Sequence, residues 1–479
     1  MRTTTLTFFL CTLAAIAQGA ENTVSSEMLA NWPQWRGPLA TGVAPLGKPP
    51  VNWDENTNIR WKVKIAGDGD ASPIVWNDKI FLITAVKTDR KGEPEPAPEL
   101  AARDAKEAKD AKDDPSKSSH SKSRGLRLGG YGIAKPANYY EFIVLCLDRK
   151  TGKTIWQDVA TEAVPHEGHH PDGSFASASP TTDGRQVYVS FGSRGVYCYD
   201  MQGQKKWSRD LGRMVIFNTF GEGCSPVVHG DSVIVNWDHQ GGSFIACLDA
   251  GTGETKWKVD RDETSTWATP LIVETGSRTQ VIVHGTLRVR SYDLKTGELL
   301  WACGGQGPSA IPSPVSDGKR VFAMTGFITN SLFAIPLDAT GDITGDKEKI
   351  AWSTRKVGSP YVPSPLLDGE LLYFTAGNKG ILSCYDVNKG EAIVDRQRVE
   401  GISNIYASPV GADGHIYFTG RDGTTVVIER GKFEKDGDKQ RIAIVATNKL
   451  DDSFDSSAAI GGGEMLLRGN EYLYSIAAP

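Results

Sequence analysis

A dipeptide of a small hydroxyl residue followed by proline recurs along this chain at a nearly constant interval. It stands at Ser72-Pro73, Ser179-Pro180, Ser225-Pro226, Thr269-Pro270, Ser313-Pro314, Ser364-Pro365 and Ser408-Pro409, with a degenerate eighth copy at Ser457-Ala458. From the second copy onward the intervals run from 44 to 51 residues, and the first, 107 residues, is one such unit plus an insertion. Each unit continues as an apolar strand, a second strand, and a third that ends in Asp, a Gly turn and Trp. A several-stranded unit of about 45 residues cannot bury its own faces and must stack on its neighbours, which is the signature of a β-propeller. Eight starts give eight blades. The expected class is all-β, an eight-bladed propeller of four-stranded antiparallel blades over residues 58–479.

The turn in each unit has its own chemistry. Cys146-Leu-Asp-Arg-Lys-Thr-Gly-Lys-Thr-Ile-Trp156 is the fullest copy, and Cys247 to Trp257 and Ser291 to Trp301 repeat its plan. Asp148, Asp249 and Asp293 are placed to accept backbone N–H bonds, while Gly152, Gly253 and Gly297 supply a positive φ. Trp61, Trp156, Trp207, Trp257, Trp301 and Trp352 then return on outer strands and are expected to wedge between blades. They are half of the chain's 12 tryptophans, so this richness is mainly architectural. Two units depart from the plan: Val394 stands where Trp would be, and Gly431 to Lys439 makes a longer turn. The last unit stops at its third strand, Tyr472 to Ile476, whereas Asn58 to Ile65 is a strand with nothing before it to pair with. The N-terminal strand is expected to complete the last blade and close the ring.

This repeat resembles the tryptophan-docking motif of the quinoprotein-type propellers, Ala-x-Asp-x-x-Thr-Gly-Lys-x-x-Trp. That group includes the pyrroloquinoline-quinone (PQQ) alcohol dehydrogenases and the outer-membrane assembly factor BamB. The segment Asn31-Trp-Pro-Gln-Trp-Arg-Gly-Pro38 also resembles the start of exported PQQ-like repeat proteins of planctomycete-type bacteria. Cys146, Cys198, Cys247 and Cys384 each stand two residues before the motif Asp, where the family pattern has Ala. Equivalent positions on different blades lie too far apart for the Cα spacing of a disulfide, about 5.5 Å. They are expected to be free, buried fillers; Cys224 and Cys303 have no evident partner either.

Composition bounds the rest. The first twenty residues carry Arg2, an apolar run from Leu6 to Ala17 and small residues through Ala20, the plan of a cleaved export signal. No lipobox precedes Cys11, and no later stretch is apolar for eighteen residues, so the mature protein is expected to be periplasmic or secreted, without a transmembrane segment. Residues 21–57 form an N-terminal extension. The net charge of −5 argues against a nucleic-acid partner. An insertion over 87–138 interrupts blade 1, and between Lys87 and Arg124 it carries ten basic and nine acidic residues. It reads as a solvated surface loop, with a partner-recruiting arm as the alternative.

The face bearing that insertion also collects the polar candidates. His166-Glu-Gly-His-His-Pro-Asp172 offers His166, His169, His170 and Asp172 as ligands for a divalent metal such as zinc, although loop spacing does not fix ligand direction. Around the expected axis stand Arg194, Asn236, Trp237, Asp238, His239, Trp267, His284, Arg288, Tyr361, Asn378, Tyr406 and Arg421, a mixture that suits a polar ligand or a sugar-like polymer. The preferred reading is an exported, non-catalytic, monomeric propeller that binds a protein or polysaccharide partner, with no cofactor. The resemblance implies an alternative, a PQQ-dependent alcohol or polyvinyl alcohol dehydrogenase using PQQ with calcium. Against it stand the absence of a Cys-Cys dipeptide, of a Cys-x-x-Cys-His haem motif and of a recognisable Glu, Asn and Asp calcium set. A metal-dependent hydrolase built on the histidine cluster is a third reading, without a supporting nucleophile or His-Glu-x-x-His motif.

Overall fold

The computed structural model describes residues 25–96, 133–276 and 278–478. The expected export signal and the centre of the insertion lie outside the described residues. Eight sheets, each with four antiparallel strands, follow one another in chain order, and Ile59–Lys64 pairs with Tyr472–Ala477 to complete the eighth; Gly341–Asp342 and Val43–Ala44 add a parallel fifth strand to the fourth and seventh. The ring therefore closes as its unpaired terminal strand requires.

Each innermost strand begins directly after the recurring dipeptide, from Ile74–Trp76 in blade 1 to Ala459–Gly461 in blade 8. Proline is tolerated there because the first residue of an edge strand has no ladder partner for an N–H. The hydroxyl residue has a different task. The backbone N–H of Ser72 donates to Ser179 Oγ at 3.0 Å, that of Ser179 to Ser225 Oγ at 2.8 Å, and that of Ser225 to Thr269 Oγ1 at 3.3 Å. The chain of bonds runs on through Ser313, Ser364 and Ser408 to Ser457 Oγ. It stops at the seam between last and first blades, where Ser72 Oγ has no partner. The repeat that reveals the fold is thus the collar that joins its blades.

The tryptophans form a second collar at the rim. The indole N–H of Trp61, Trp156, Trp207, Trp257 and Trp352 donates to the carbonyl just after the motif Asp of the following blade, at Arg149, Met201, Ala250, Leu294 and Val387. The turn glycine beneath each ring leaves no room for a Cβ; Gly253, at φ +71°, faces Trp207 in this way. Trp301 differs by bonding Gln280 Oε1 within its own blade. Directly across from Trp156, Trp207 and Trp257 stand Cys146, Cys198 and Cys247, and Cys384 faces Val394. A bulky ring on the outer strand needs a small neighbour on the next one, and a thiol fits. All six described cysteines are free, and burial pushes the Cys146, Cys198 and Cys384 thiols up to about 12.

The N-terminal extension plugs the axis. Trp32 exchanges backbone bonds with Val75 of blade 1, and Pro33 O accepts from Thr182 N of blade 2. Across the ring, Trp35 Nε1 donates to Ser313 Oγ at 3.2 Å, and Arg36 donates to Pro409 O at 2.8 Å and Pro365 O at 2.9 Å. Joining blades 1 and 2 to blades 5, 6 and 7, the segment must cross the centre. The insertion differs from its expected limits: Lys79–Lys91 and Asn138–Asp148 pair beyond the blade, so Lys87 to Lys91 belong to a hairpin stem. Past that stem, Glu95 lies 3.2 Å from Arg194 and 2.5 Å from Arg213.

Candidate functional site: a blind axial funnel

With one end plugged, the channel is a blind funnel of about 650 Å³ with Trp35 in its wall. Its two layers follow from strand geometry. Seven members of the hydroxyl collar line it, and so does the residue two positions ahead of each: Ser177, Gly223, Trp267, Ile311, Val362, Tyr406 and Asp455, with Asp70 ahead of Ser72. Period-two alternation turns residues i and i−2 to the same side of an extended chain. This upper ring is two-faced. Tyr406, Asp455, Asp70 and Ser177 make a polar wall over blades 7, 8, 1 and 2, whereas Trp267, Ile311 and Val362 make an apolar wall over blades 4 to 6. His170, Asp172, Phe217, Phe220, Phe327 and Tyr361 form the mouth, where Phe327 stacks on Tyr361 with ring centres 5.1 Å apart.

Arg421 ties Asp455, Asp172 and Tyr406 of the polar wall together, and Arg468 faces Asp70. Arg421 donates to Asp455 at 2.5 and 3.1 Å and to Asp172 at 3.1 Å, and it lies 4.3 Å above the Tyr406 ring. Tyr406 Oη donates to Asp172 at 2.9 Å. Burial alone would raise the Asp172 carboxyl, but the bonds from Tyr406 and Arg421 outweigh it and hold the group below its usual range. Burial pushes Asp455 up despite Arg421, and it pushes Asp70 up to about 6 against the bonds from Ser174 and Ser177, with Asp455 adding to the rise.

Of the residues expected around the axis, Trp267, Tyr361 and Tyr406 line the funnel, and Arg421 stands behind it. Arg194, Asn236, Trp237 and Asp238 instead line a smaller enclosed cavity. Asp238 is locked to Arg261, and His239 Nδ1 accepts from the N–H groups of Val215 and Gly241. Arg288 faces Asp262 and Asp342, and Asn378 Oδ1 accepts from Val362 N. The expected metal cluster is divided. Among the described residues, His166 groups with Glu167 and Glu222, whereas His170 and Asp172 face the funnel. His169 Nδ1 bonds the His170 carbonyl at 2.8 Å, because the loop doubles back on itself.

His284 is wholly buried rather than at the axis, with Nδ1 donating to Pro312 O at 3.1 Å and Nε2 unpartnered. Burial lowers its pKa from 6.5 to about 4. A depressed imidazole stabilises the fold fully above pH 6.5 and loses that contribution as pH falls toward 4, by about 3 kcal/mol. Raised carboxyls such as Asp70 act in the opposite direction, so the informative comparison is with His284→Gln, which keeps a donor but takes up no proton. Urea unfolding at pH 7 and pH 4.5 should show a smaller acid loss in the variant; equal losses would contradict the assignment.

Sequence reasoning missed Trp35, Asp70, Asp455, Glu222 and the three phenylalanines of the mouth. Asp70 and Asp455 carried a usable signal, since each stands two residues before a collar serine. Glu222 and the phenylalanines come from irregular loops and carried none.

A family model described as outer membrane protein assembly factor BamB matches residues 141–396, more than half the chain. The chain belongs to this PQQ-like propeller family. Within the family's wider group, methanol dehydrogenase [cytochrome c] subunit 1 of Methylorubrum extorquens is 31% identical over 141 residues, which are 28% of this chain and 21% of the dehydrogenase. The match thus spans about a fifth of that relative. Among solved structures, a quinohemoprotein alcohol dehydrogenase from Comamonas testosteroni aligns with a TM-score of 0.58 at 11% identity, over 94% of this chain and 81% of its own. A europium-containing methanol dehydrogenase aligns at 0.57 and 10% identity, over 92% and 89%. These two likenesses establish the eight-bladed fold.

Proposed function

We propose that this chain is an exported, non-catalytic binding propeller whose funnel receives neutral or amino-bearing sugar units of a polysaccharide. The observation that carries the reading is the two-faced upper ring, with carboxylates on one wall and Trp267, Ile311 and Val362 on the other. A sugar ring has an apolar face suited to an aromatic platform and a polar edge suited to carboxylates. The cavity volume falls within the range of about 300–1,000 Å³ common for small-molecule sites. A groove of about 530 Å³ continues the funnel over blades 4 and 5, sharing Phe217, Trp267 and Phe327 with it, so a chain longer than one unit has somewhere to lie.

The quinone chemistry of the dehydrogenases finds little support in these side chains. PQQ is a planar tricarboxylate, and the described funnel lining offers Asp70, Asp172 and Asp455 but neither lysine nor arginine. Arg421 spends its donors on two of those carboxylates. A trianion entering this wall would meet like charge in a partly desolvated setting. The residues present do not fit it.

Tryptophan fluorescence titration tests the reading with three probes: a glucosamine oligomer, an N-acetylglucosamine oligomer and a galacturonate oligomer. The first two should bind saturably and the uronate should not. Trp267→Ala should weaken binding about 10- to 30-fold, the cost of an aromatic anchor worth about 1.5–2 kcal/mol. Equal binding of the uronate, or no effect of the substitution, would overturn it.

A further inference from the structure

The groove that continues the funnel differs from it in charge. Asp70, Asp172 and Asp455 line the funnel, whereas the described lining of the groove holds no carboxylate and one arginine, Arg355. Hydroxyls of Thr264, Ser265, Thr286, Ser309 and Thr329 stand beside it. The two spaces meet at Phe217, Trp267 and Phe327, so a single bound chain runs from an acid wall to a basic edge.

Arg355 follows Trp352–Thr354, the outer strand of blade 5, and is exposed. Other arginines on this face are committed to acids. Arg194 pairs with Glu95, Arg288 with Asp262 and Asp342, and Arg421 with Asp172 and Asp455. Among the described residues, no carboxylate pairs with Arg355. Its Nη2 donates to Gly305 O, which belongs to the groove, and its Cζ lies 5.9 Å from the centre of the Phe333 ring. These contacts hold the guanidinium against the groove edge and use one of its five N–H donors. A planar fork of charged donors matches a carboxylate better than it matches a lone hydroxyl.

The rim of the groove is also strained. Among the described residues, Thr219 and Ile328 are the two β-branched side chains at a positive φ, +57° and +61°. Sterics disfavour that conformation for any residue with a branched Cβ. Ile328 is 73% exposed as well, so its side chain gains no burial in return. Thr219 lies two residues after Phe217 and Ile328 directly after Phe327, the rings that stand where funnel and groove join. Strain of this kind is kept at ligand sites, where it sets the contact residues.

We propose that the groove is a second sugar subsite, taking a carboxylate-bearing unit next to the neutral or amino sugar in the funnel, with Arg355 reading the carboxylate. The inference rests on the polysaccharide reading of the funnel and adds the order of the units. Exchanging them would set the carboxylate against Asp70 and Asp455, so charge fixes which unit enters the funnel. The occupant is therefore a polymer in which a uronic acid adjoins an amino or N-acetylated sugar. A polymer of uronate alone is refused because it must also fill the acid-walled position.

The test uses the full chain and three oligomers of equal length, with calorimetry as the readout. They are hyaluronan, in which N-acetylglucosamine and glucuronate alternate, its carboxyl-reduced form, and N-acetylglucosamine alone. Hyaluronan should bind about tenfold tighter than the carboxyl-reduced form, the worth of one charge-assisted contact. That margin should fade at about 1 M salt, where the Debye length is about 3 Å. Arg355→Gln should bring hyaluronan down to the affinity of the carboxyl-reduced form. Arg355→Lys, which keeps the charge without the fork, should recover part of the margin. Hyaluronan bound no tighter than its carboxyl-reduced form would overturn the inference, as would a margin unchanged in Arg355→Gln. The two readings fail separately. If N-acetylglucosamine binds and hyaluronan shows no margin, the subsite falls and the funnel reading stands. If no oligomer binds, the funnel reading falls and the subsite with it.

Discussion

Asp238→Ala is expected to destabilise the protein by about 3–5 kcal/mol, the usual result of removing one partner of a buried ion pair. Arg261 Nε and Nη2 donate to the two Asp238 oxygens at 2.8 and 3.0 Å, and both side chains are 0% exposed. The Thr266 hydroxyl and the Asn236 amide complete the carboxylate, and Arg261 also donates to Tyr292 Oη at 2.6 Å. Burial by itself would lower the Arg261 pKa, but Asp238 outweighs it and raises it. Alanine would leave a guanidinium without countercharge between blades 3 and 4. Urea unfolding at neutral pH measures the loss, and the double variant Asp238→Leu/Arg261→Met should recover much of it, since no buried charge then remains. A loss below about 1 kcal/mol for Asp238→Ala would be the value of an exposed pair and would contradict the burial.

Trp207→Ala is expected to cost a similar amount, about 3–5 kcal/mol, through lost apolar contact and an unfilled cavity. The ring is nearly buried, rests over Gly253 and faces Cys198, and its N–H is bonded to Ala250 O at 2.8 Å. Truncation therefore removes the wedge between blades 2 and 3 and leaves a buried carbonyl unpaired. The comparison is Trp352→Ala, a partly exposed member of the same set, which should lose less in the same urea experiment. Equal losses at the two sites would mean that burial of the ring is not what the docking contributes.

The fold was legible because its repeat is physical. The hydroxyl residue, the turn Asp, the glycine and the tryptophan each make the same bond in blade after blade, so their spacing announces the ring and its closure. The funnel was legible in part. Trp267 and Tyr406 stand at a repeat position, as do Asp70 and Asp455, which a reading of the i−2 register would have found. The loops obey no period: His284 and Asp238 look like polar ligands in the sequence but are satisfied inside the protein, and Arg36 ties a plug whose path no motif describes. Which buried polar residues serve the ligand depends on who bonds them, and those partners come from blades distant in sequence. Asp172 illustrates the difficulty, since its bonds come from Tyr406 and Arg421, more than two hundred residues away.

An acid-walled funnel of this shape should admit an amino sugar and reject a tricarboxylate quinone. The most direct test titrates the same protein, in calcium-containing buffer, with a glucosamine oligomer and with PQQ. Tryptophan fluorescence, quinone absorbance and dye reduction with an added alcohol are the readouts. Saturable fluorescence quenching by the oligomer is expected, with the quinone spectrum unchanged and no dye reduced. Saturable PQQ binding accompanied by alcohol-dependent dye reduction would contradict it.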